Sequence, residues 1–235
     1  HQPRRCPIAT RPAGAKTLLD PQALDSAAEI ARGVFHQVQQ HALGTEIWLG
    51  ETGHAQCGGQ AELSDRFASS LWWLDQLGLL ALQGTKVQIR QSLLGSDYGL
   101  LDEETLTPRP DYWASWLWKQ WMGKEVLTAQ QTGPSSLRSY AHCRPDRQGF
   151  ALLLINLGEQ PQSVYLPYPG NRARVYELTG PELDAKVLRV NGQVLSYANA
   201  MPELPSRPFT QNLTLAPISA SFVVFDNPNW PGCQS

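Results

Sequence analysis

The sequence has no long run of lysine or arginine, and 19 basic residues against 21 acidic ones leave a formal charge of −2. A protein of this balance is not expected to grip nucleic acid electrostatically. No apolar stretch reaches the roughly 18–20 residues that a membrane span needs; the longest candidates are broken by Gln, Asp or Lys. The cysteines, Cys6, Cys57, Cys143 and Cys233, form no Cys-x-x-Cys pair, which argues against a zinc site. There is no internal repeat and no low-complexity tract. His1-Gln2-Pro3-Arg4-Arg5 is neither an initiator methionine nor a signal peptide, and it reads as the interior of a larger protein.

What is present describes a folded globular chain. Hydrophobic residues make up 42% and charged residues 17% of 235 residues, enough for one large domain or two modest ones. Eight Trp and seven Tyr stand out. Aromatic residues in this number line carbohydrate clefts or pack cores, and composition does not choose between the two.

The first half alternates helical and extended patterns. Pro21 to about Gln40 reads as a helix with Asp20 as N-cap, Pro21 at its first position and a stripe of Ala27, Ile30, Ala31, Val34, Phe35 and Val38. Glu46–Gly50 reads as a buried parallel strand ending at Glu51. Ser64 to about Leu80 reads as a second helix with Phe67, Leu71, Leu74 and Leu77 on one face, Val87–Leu94 as a second strand, and Asp111–Met122, opened by Pro110, as a third helix. This is the alternation of a parallel sheet with crossover helices. Two strands cannot close a barrel, so the region is a piece of something larger or a small open sheet with exposed edges, and the first is the expectation. After about Lys124 the pattern becomes short β runs: 152–155, 163–166, 173–176, 187–190 and 221–225. They are separated by turn sequences that include Tyr168-Pro169-Gly170 and the hairpin signal Asn191-Gly192. This half reads as an antiparallel β-sandwich.

Glu51 is the leading candidate for chemistry. It stands where an apolar strand gives way to the loop Thr52–Gln60, and ligands of parallel sheets bind at the C-terminal ends of strands. Capping the next segment or pairing with an arginine is the alternative. Gly58-Gly59 lets a backbone approach a ligand closely, or is an ordinary turn. His54 is an acid/base candidate or a hydrogen-bonding loop residue. Cys57 is a nucleophile candidate without an evident partner. Gln91 and the loop Gly95-Ser96-Asp97-Tyr98-Gly99 flank Glu51 if the two strands are neighbours. Asp102-Glu103-Glu104 reads as solvated surface, and Asn212-Leu213-Thr214 fits a glycosylation sequon. Glycoside hydrolysis needs two carboxyl groups. Glu51 supplies one, and no Asn-Glu dipeptide supplies the other. Cys143 and Cys233 are either a bridge closing a loop of about 90 residues, for which the chain-entropy model gives roughly 4–5 kcal/mol, or two buried thiols.

Several segments together resemble the heparanase family, glycoside hydrolase family 79. They are Ile47–Thr52, Gly58-Gly59, Leu63-Ser64-Asp65, Trp73–Gly78, Arg90-Gln91 with Gly95 and Tyr98, and Pro110–Trp113. Asn156-Leu157, Leu166–Pro169, Leu178 with Gly180-Pro181, and Val190–Gly192 continue the series. The ordered match runs from about Asp20 to Cys233. The resemblance implies the C-terminal portion of a (β/α)8 TIM barrel over 1–123, followed by a C-terminal antiparallel β-sandwich over 124–235. It implies Glu51 as the nucleophile of a retaining endo-β-glucuronidase that cleaves heparan sulfate-type chains. The acid/base glutamate would lie on an upstream segment or separate chain carrying the rest of the barrel.

The substrate-binding residues implied are Gln56, Cys57, Gly58, Gln91, Ser96, Asp97 and Tyr98. Gly58 and its neighbours would hold the glucuronate carboxylate through backbone N–H groups and Tyr98 through its hydroxyl. The sequence departs from the family's Tyr-Gly at Gln56-Cys57, and its Tyr98 loop is one residue shorter. The resemblance also implies a Cys143–Cys233 disulfide, a secreted or periplasmic location, and no metal or organic cofactor. Arg4, Arg5 and Arg11 are candidates for a basic substrate contact. Three other readings stand beside this one: an exo-β-glucuronidase, a non-catalytic glycosaminoglycan-binding relative, and a carbohydrate-binding sandwich using Trp230, Tyr165 and Tyr168.

Overall fold

A computed structural model describes residues 14–168, 172–227 and 229–234. Arg4, Arg5, Arg11 and the turn at Pro169-Gly170 therefore lie outside the described residues. The elements run in the order α1 (Ala15–Leu18), α2 (Pro21–His41), β1 (Ile47–Thr52), α3 (Phe67–Leu82), β2 (Thr85–Arg90) and α4 (Pro110–Trp121). Then follow β3 (Val126–Leu127), β4 (Leu137–Cys143), β5 (Gly149–Asn156), β6 (Gln162–Tyr165), β7 (Ala173–Thr179), β8 (Arg189–Val190), β9 (Gln193–Val194), β10 (Arg207–Pro208), β11 (Asn212–Leu215) and β12 (Ser219–Asp226).

Helix α2 starts as its sequence dictates. Asp20 Oδ1 accepts the N–H of Gln22, and Pro21, which has no N–H to waste, takes the first position. Its apolar stripe is not covered, however. Only Leu24 and Ala28 are buried, while Ile30, Val34 and Phe35 are 71%, 45% and 42% exposed. Strands β1 and β2 pair in parallel, with Trp48 opposite Val87 and Thr52 opposite Arg90. The expectation that β1 is buried is not met. Trp48 is 61% and Ile89 46% exposed, because the described residues place no further strand beside this pair. Strand β1 also continues through Glu51 to Thr52. Strand β2 ends at Arg90 rather than Leu94: the Ser92 hydroxyl donates to the Leu94 and Gly95 carbonyls, and the N–H groups of Leu100 and Leu101 return to the carbonyls of Ser92 and Leu93.

Helix α3 begins three residues after Ser64, whose hydroxyl is taken by the loop before it, accepting the N–H of Gln60. The expected single apolar face is exceeded, since every residue from Phe67 to Leu80 is buried. A helix buried on every side is central, and α3 lies between α2, α4 and β4.

The β region is built on an eight-stranded sheet of order β3-β4-β5-β12-β7-β8-β9, with β10 also paired to β7. Its middle strands β5 and β12 bury almost every side chain and use both faces. Alternate residues separate by the two-residue period of a strand. Leu153, Ile155, Phe222 and Val224 join the core under α3 and α4. Leu152, Leu154, Val223 and Phe225 form a second core with Leu166, Leu213 and Leu215 of the β6–β11 side.

The fold is thus mixed α/β with an associated sheet region. Among the described residues there is no closed barrel, and the second layer over the large sheet is the single pair β6–β11 rather than a full sandwich. Asn191 and Gly192 make the two-residue hairpin between β8 and β9, both at positive φ (45° and 85°) as the tight turn requires. The disulfide Cys143–Cys233 joins the end of β4 to the final 3-10 turn. Trp230 and Tyr168 pack around Phe150, tilted and edge-on, at ring-centroid distances of 4.5 and 5.3 Å, so two of the three aromatics considered for sugar stacking are packing residues. Tyr165 is 63% exposed. Asn212 and Thr214 of the sequon both face outward from β11.

One buried cluster ties helix to sheet. Arg138 Nε and the Tyr140 hydroxyl, from β4, donate to Asp75 Oδ1 of α3 at 3.0 and 2.6 Å, and Arg138 also reaches Asp25 of α2. Burial pushes the Asp75 carboxyl up, and Arg138 and Tyr140 pull it back.

Candidate functional site

Glu51 is the next-to-last residue of β1, and its side chain is exposed. The Thr52–Arg90 pairing sets Gln91 beside it, since the Gln91 N–H donates to the Thr52 carbonyl at 3.2 Å. The chain then leaves β1 through Gly53–Gln60, and this loop packs on the loop after β2. Gly53 lies flat against the Tyr98 ring: a Cβ there would stand 2.5 Å from Tyr98 Cζ, so any side chain would displace the ring. The Tyr98 hydroxyl accepts the Ala55 N–H at 2.9 Å, and the Tyr98 N–H donates to the Gly58 carbonyl at 3.3 Å. Cys57, Gly58 and Gly59 all have positive φ (57°, 96° and 106°), and a Cβ on Gly59 would meet Asp97 Cβ at 2.9 Å. The glycines are therefore needed for the close approach of the two loops.

Beneath these loops lies a polar network that the sequence reading did not assemble. Arg90 Nε and Nη2 bond the same oxygen, Oδ2 of Asp111, at 3.0 and 2.7 Å, with both side chains 3% exposed. Arg90 Nη1 donates to the carbonyls of Thr52 and Gln91, at 3.4 and 3.2 Å, and so holds the ends of both strands. The guanidinium carbon stands 4.8 Å from the Tyr98 ring centroid, a cation–π contact. Ser69 donates to Asp111 at 2.9 Å and lies 3.4 Å from His54 Nδ1, while His54 Nε2 is 2.9 Å from the Ser64 hydroxyl. His54 is thus a hydrogen-bonding loop residue. Burial first, and then the Arg90 charge, lower its pKa to about 3, so it is a neutral imidazole at ordinary pH.

Burial, with charges near the site, alters two further groups. Burial raises the Tyr98 hydroxyl, with the Glu51 and Asp97 charges adding to it against Arg90 and the Ala55 N–H, so it is a protonated donor at neutral pH. Burial, then the charge of Asp65, raises the Asp97 carboxyl.

The structure gathers Glu51, Gly58, Gln91, Ser96, Asp97 and Tyr98 around the ends of β1 and β2. Gln56 and Cys57 lie on the exposed outer part of the loop. Cys57 is disulfide-bonded, which removes it as a thiol nucleophile. Among the described residues no group of three or more His, Cys, Asp or Glu could hold a metal ion, and no helix is long and apolar enough to cross a membrane. Arg90 and Asp111 escaped the sequence reading because each has an ordinary local role: a polar residue in an alternating strand, and an acid in a helix's first turn. The available signal was an arginine in the apolar-alternating strand together with an acid in the first turn of the next helix.

Comparison with known proteins concerns the chain as a whole. Residues 12–78 match the model described as glycosyl hydrolase family 79, N-terminal domain. Heparanase-like protein 1 of Arabidopsis thaliana is 35% identical over 265 residues, covering 95% of this chain and 48% of that protein. Heparanase of Mus musculus is 36% identical over 207 residues, covering 81% and 39%. The chain thus spans half or less of the length of these relatives. Among solved structures, a 4-O-alpha-L-rhamnosyl-beta-D-glucuronidase from Fusarium oxysporum 12S superposes with a TM-score of 0.68 at 17% identity, over 91% of this chain and 50% of that one. At that identity the likeness is one of fold, that of glycosidases of the (β/α)8-barrel type. Over most of its length, and at moderate identity, this chain is homologous to the heparanase-like proteins of glycosyl hydrolase family 79.

Proposed function

We propose that this chain carries the nucleophile half of a retaining endo-β-glucuronidase that cleaves heparan sulfate-type chains. The observation that carries the reading is the placement of an exposed Glu51 at the end of β1 beside the interlocked Gly58 and Tyr98 loops. In this reading the carboxylate and the donors of the two loops share one end of the β1–β2 pair, with Tyr98 itself 1% exposed in this chain. In this reading Glu51 attacks the anomeric carbon and the glycosidic oxygen leaves, taking a proton from an acid on an upstream segment. That group then removes a proton from water, which displaces Glu51 from the glycosyl-enzyme. The Gly58 and Cys57 N–H groups and the Tyr98 hydroxyl hold the glucuronate carboxylate. Gln91 binds sugar hydroxyls, and Gln56, Ser96 and Asp97 line the approach. No metal or organic cofactor is required for this chemistry.

Residues 1–123 then form the last part of a catalytic barrel and 124–235 a C-terminal sandwich domain, in a secreted or otherwise extracytoplasmic protein. The remaining barrel strands, from the upstream segment, cover the open sides of β1, β2 and α2. Support comes from the homology and from the exposed Trp48, Ile89, Ile30 and Val34 on those sides.

The test is Glu51→Gln in the complete enzyme, assayed on heparan sulfate. Loss of the nucleophile is expected to lower kcat on the order of 10⁴-fold or more; undiminished turnover would reject the assignment. Sizing the products separates the two modes of cleavage. Internal fragments are expected, and single glucuronic acid released from chain ends would mean an exo-enzyme.

A further inference from the structure

The loop that carries Tyr98 is braced by one residue outside it. Arg109 directly precedes α4, and its side chain is 17% exposed. Its Nη1 faces three backbone carbonyls of the loop, those of Ser96, Asp97 and Gly99, at 3.4, 3.3 and 3.2 Å. Its Nη2 reaches Asp102 Oδ2 at 3.4 Å, and its backbone N–H donates to the Leu100 carbonyl at 2.9 Å. Asp102 is itself anchored by the N–H groups of Glu104 and Thr105 and the Thr105 hydroxyl. These bonds, with Arg109, lower its pKa to about 2 and keep it ionised.

The carbonyls of residues 97 and 99 lie on either side of Tyr98. One guanidinium therefore holds the peptide entering Tyr98 and the peptide leaving Gly99, bracketing the residue whose hydroxyl accepts the Ala55 N–H. Each bond is long and weak alone, but all share one delocalised cation facing several carbonyl dipoles. The loop needs such a brace, because Ser96 sits at φ 70°, a left-handed conformation that a residue with a Cβ resists.

We propose that Arg109 is a positioning residue for substrate selectivity. It does not touch the sugar. It fixes the Tyr98 hydroxyl where a uronate carboxylate is recognised, and so sets the preference for β-glucuronides over the matching neutral β-glucosides. This rests on the function proposed above, with Tyr98 as a carboxylate donor. The brace is a fork: Arg109→Lys keeps the charge but offers a single point of donation, and Arg109→Ala removes both.

The experiment measures kcat and KM of the complete enzyme on an aryl β-glucuronide and on the β-glucoside with the same leaving group. Arg109→Ala is expected to raise KM for the glucuronide about tenfold, the equivalent of 1.4 kcal/mol, with a smaller change in kcat and little change on the glucoside. Arg109→Lys is expected to fall between. A selectivity ratio unchanged in both variants, or an equal loss on both substrates, overturns the inference and leaves the proposed function standing. If Arg109→Ala does not fold, Arg109→Lys decides by the same ratio. A wild-type enzyme with no preference for the glucuronide overturns the proposed function itself, and this inference with it.

Discussion

The two parts of the molecule treat their apolar residues in opposite ways. In the β region the alternate residues of β5 and β12 go to opposite cores, and both cores are filled from within the chain. In the helical part, α3 is buried all round, but the stripe of α2 and the outer side chains of β1 and β2 remain exposed. Both patterns were equally clear as periodicities. Periodicity therefore gives the face that an element buries, but says nothing of whether the covering element belongs to the same segment.

The sharpest way to break this comparison is to cut a core that is complete. Leu153 is fully buried on β5, between β4 and β12. Leu153→Ala should cost the chain about 3–5 kcal/mol, the range for large-to-small changes in well-packed cores. Urea unfolding followed by tryptophan fluorescence measures it. A cost below about 1 kcal/mol would mean that the β region is loosely packed and that the contrast is false.

How much was legible in the sequence follows the same division between local and distant causes. The cap Asp20, Pro21 and Pro110 at helix starts, and the Asn191-Gly192 hairpin could be read because each acts within a few residues. Strand β4 was not read. Its Arg138, Ser139 and His142 break the apolar alternation, and they are there because that strand meets the polar residues of α3 and the Gly123 carbonyl. Strands β10 and β11 were missed where Pro208 and the polar outward side chains of β11 hide the pattern. In the site, Glu51 could be read from its strand end, and Gly58 and Tyr98 from the family resemblance. Arg90 with Asp111 lie 21 residues apart, and Arg109 braces a loop through backbone carbonyls, which have no sequence signature.

The helical part also holds a buried polar network, that of Arg90, Asp111, Ser69 and His54. A second prediction uses this. Burial, and then the Arg90 charge, hold the folded His54 pKa at about 3, below the ordinary imidazole value of 6.5. A depressed pKa contributes stability that is fully present above 6.5 and is lost as pH falls toward 3, because the unfolded chain takes up the proton first. Between pH 7 and 4.5 this should cost about 1–2 kcal/mol, allowing for the partial exposure of the ring. In His54→Gln that part of the pH dependence should disappear, leaving the contribution of the carboxylates common to both proteins. Urea midpoints at the two pH values give the comparison. Equal slopes for the two proteins would show that the ring is solvated in the folded state.

The smallest effect expected is the most informative about the open face. Val34 lies on the uncovered stripe of α2 at 45% exposure. In this chain Val34→Ser should change stability by no more than about 0.5 kcal/mol, as surface substitutions do. If upstream barrel strands cover the stripe in the complete protein, as proposed, the same change there removes buried apolar surface and sets a hydroxyl against it. There it should cost on the order of 1–3 kcal/mol. The difference between the two backgrounds, rather than either value, measures whether this face is an interior surface. If Val34→Ser costs the same in both, the stripe stays in water in the complete protein too, and the proposal that upstream strands cover it fails. If the cost appears only in the complete protein, the exposed stripe is the half of a core whose other half lies on the upstream segment.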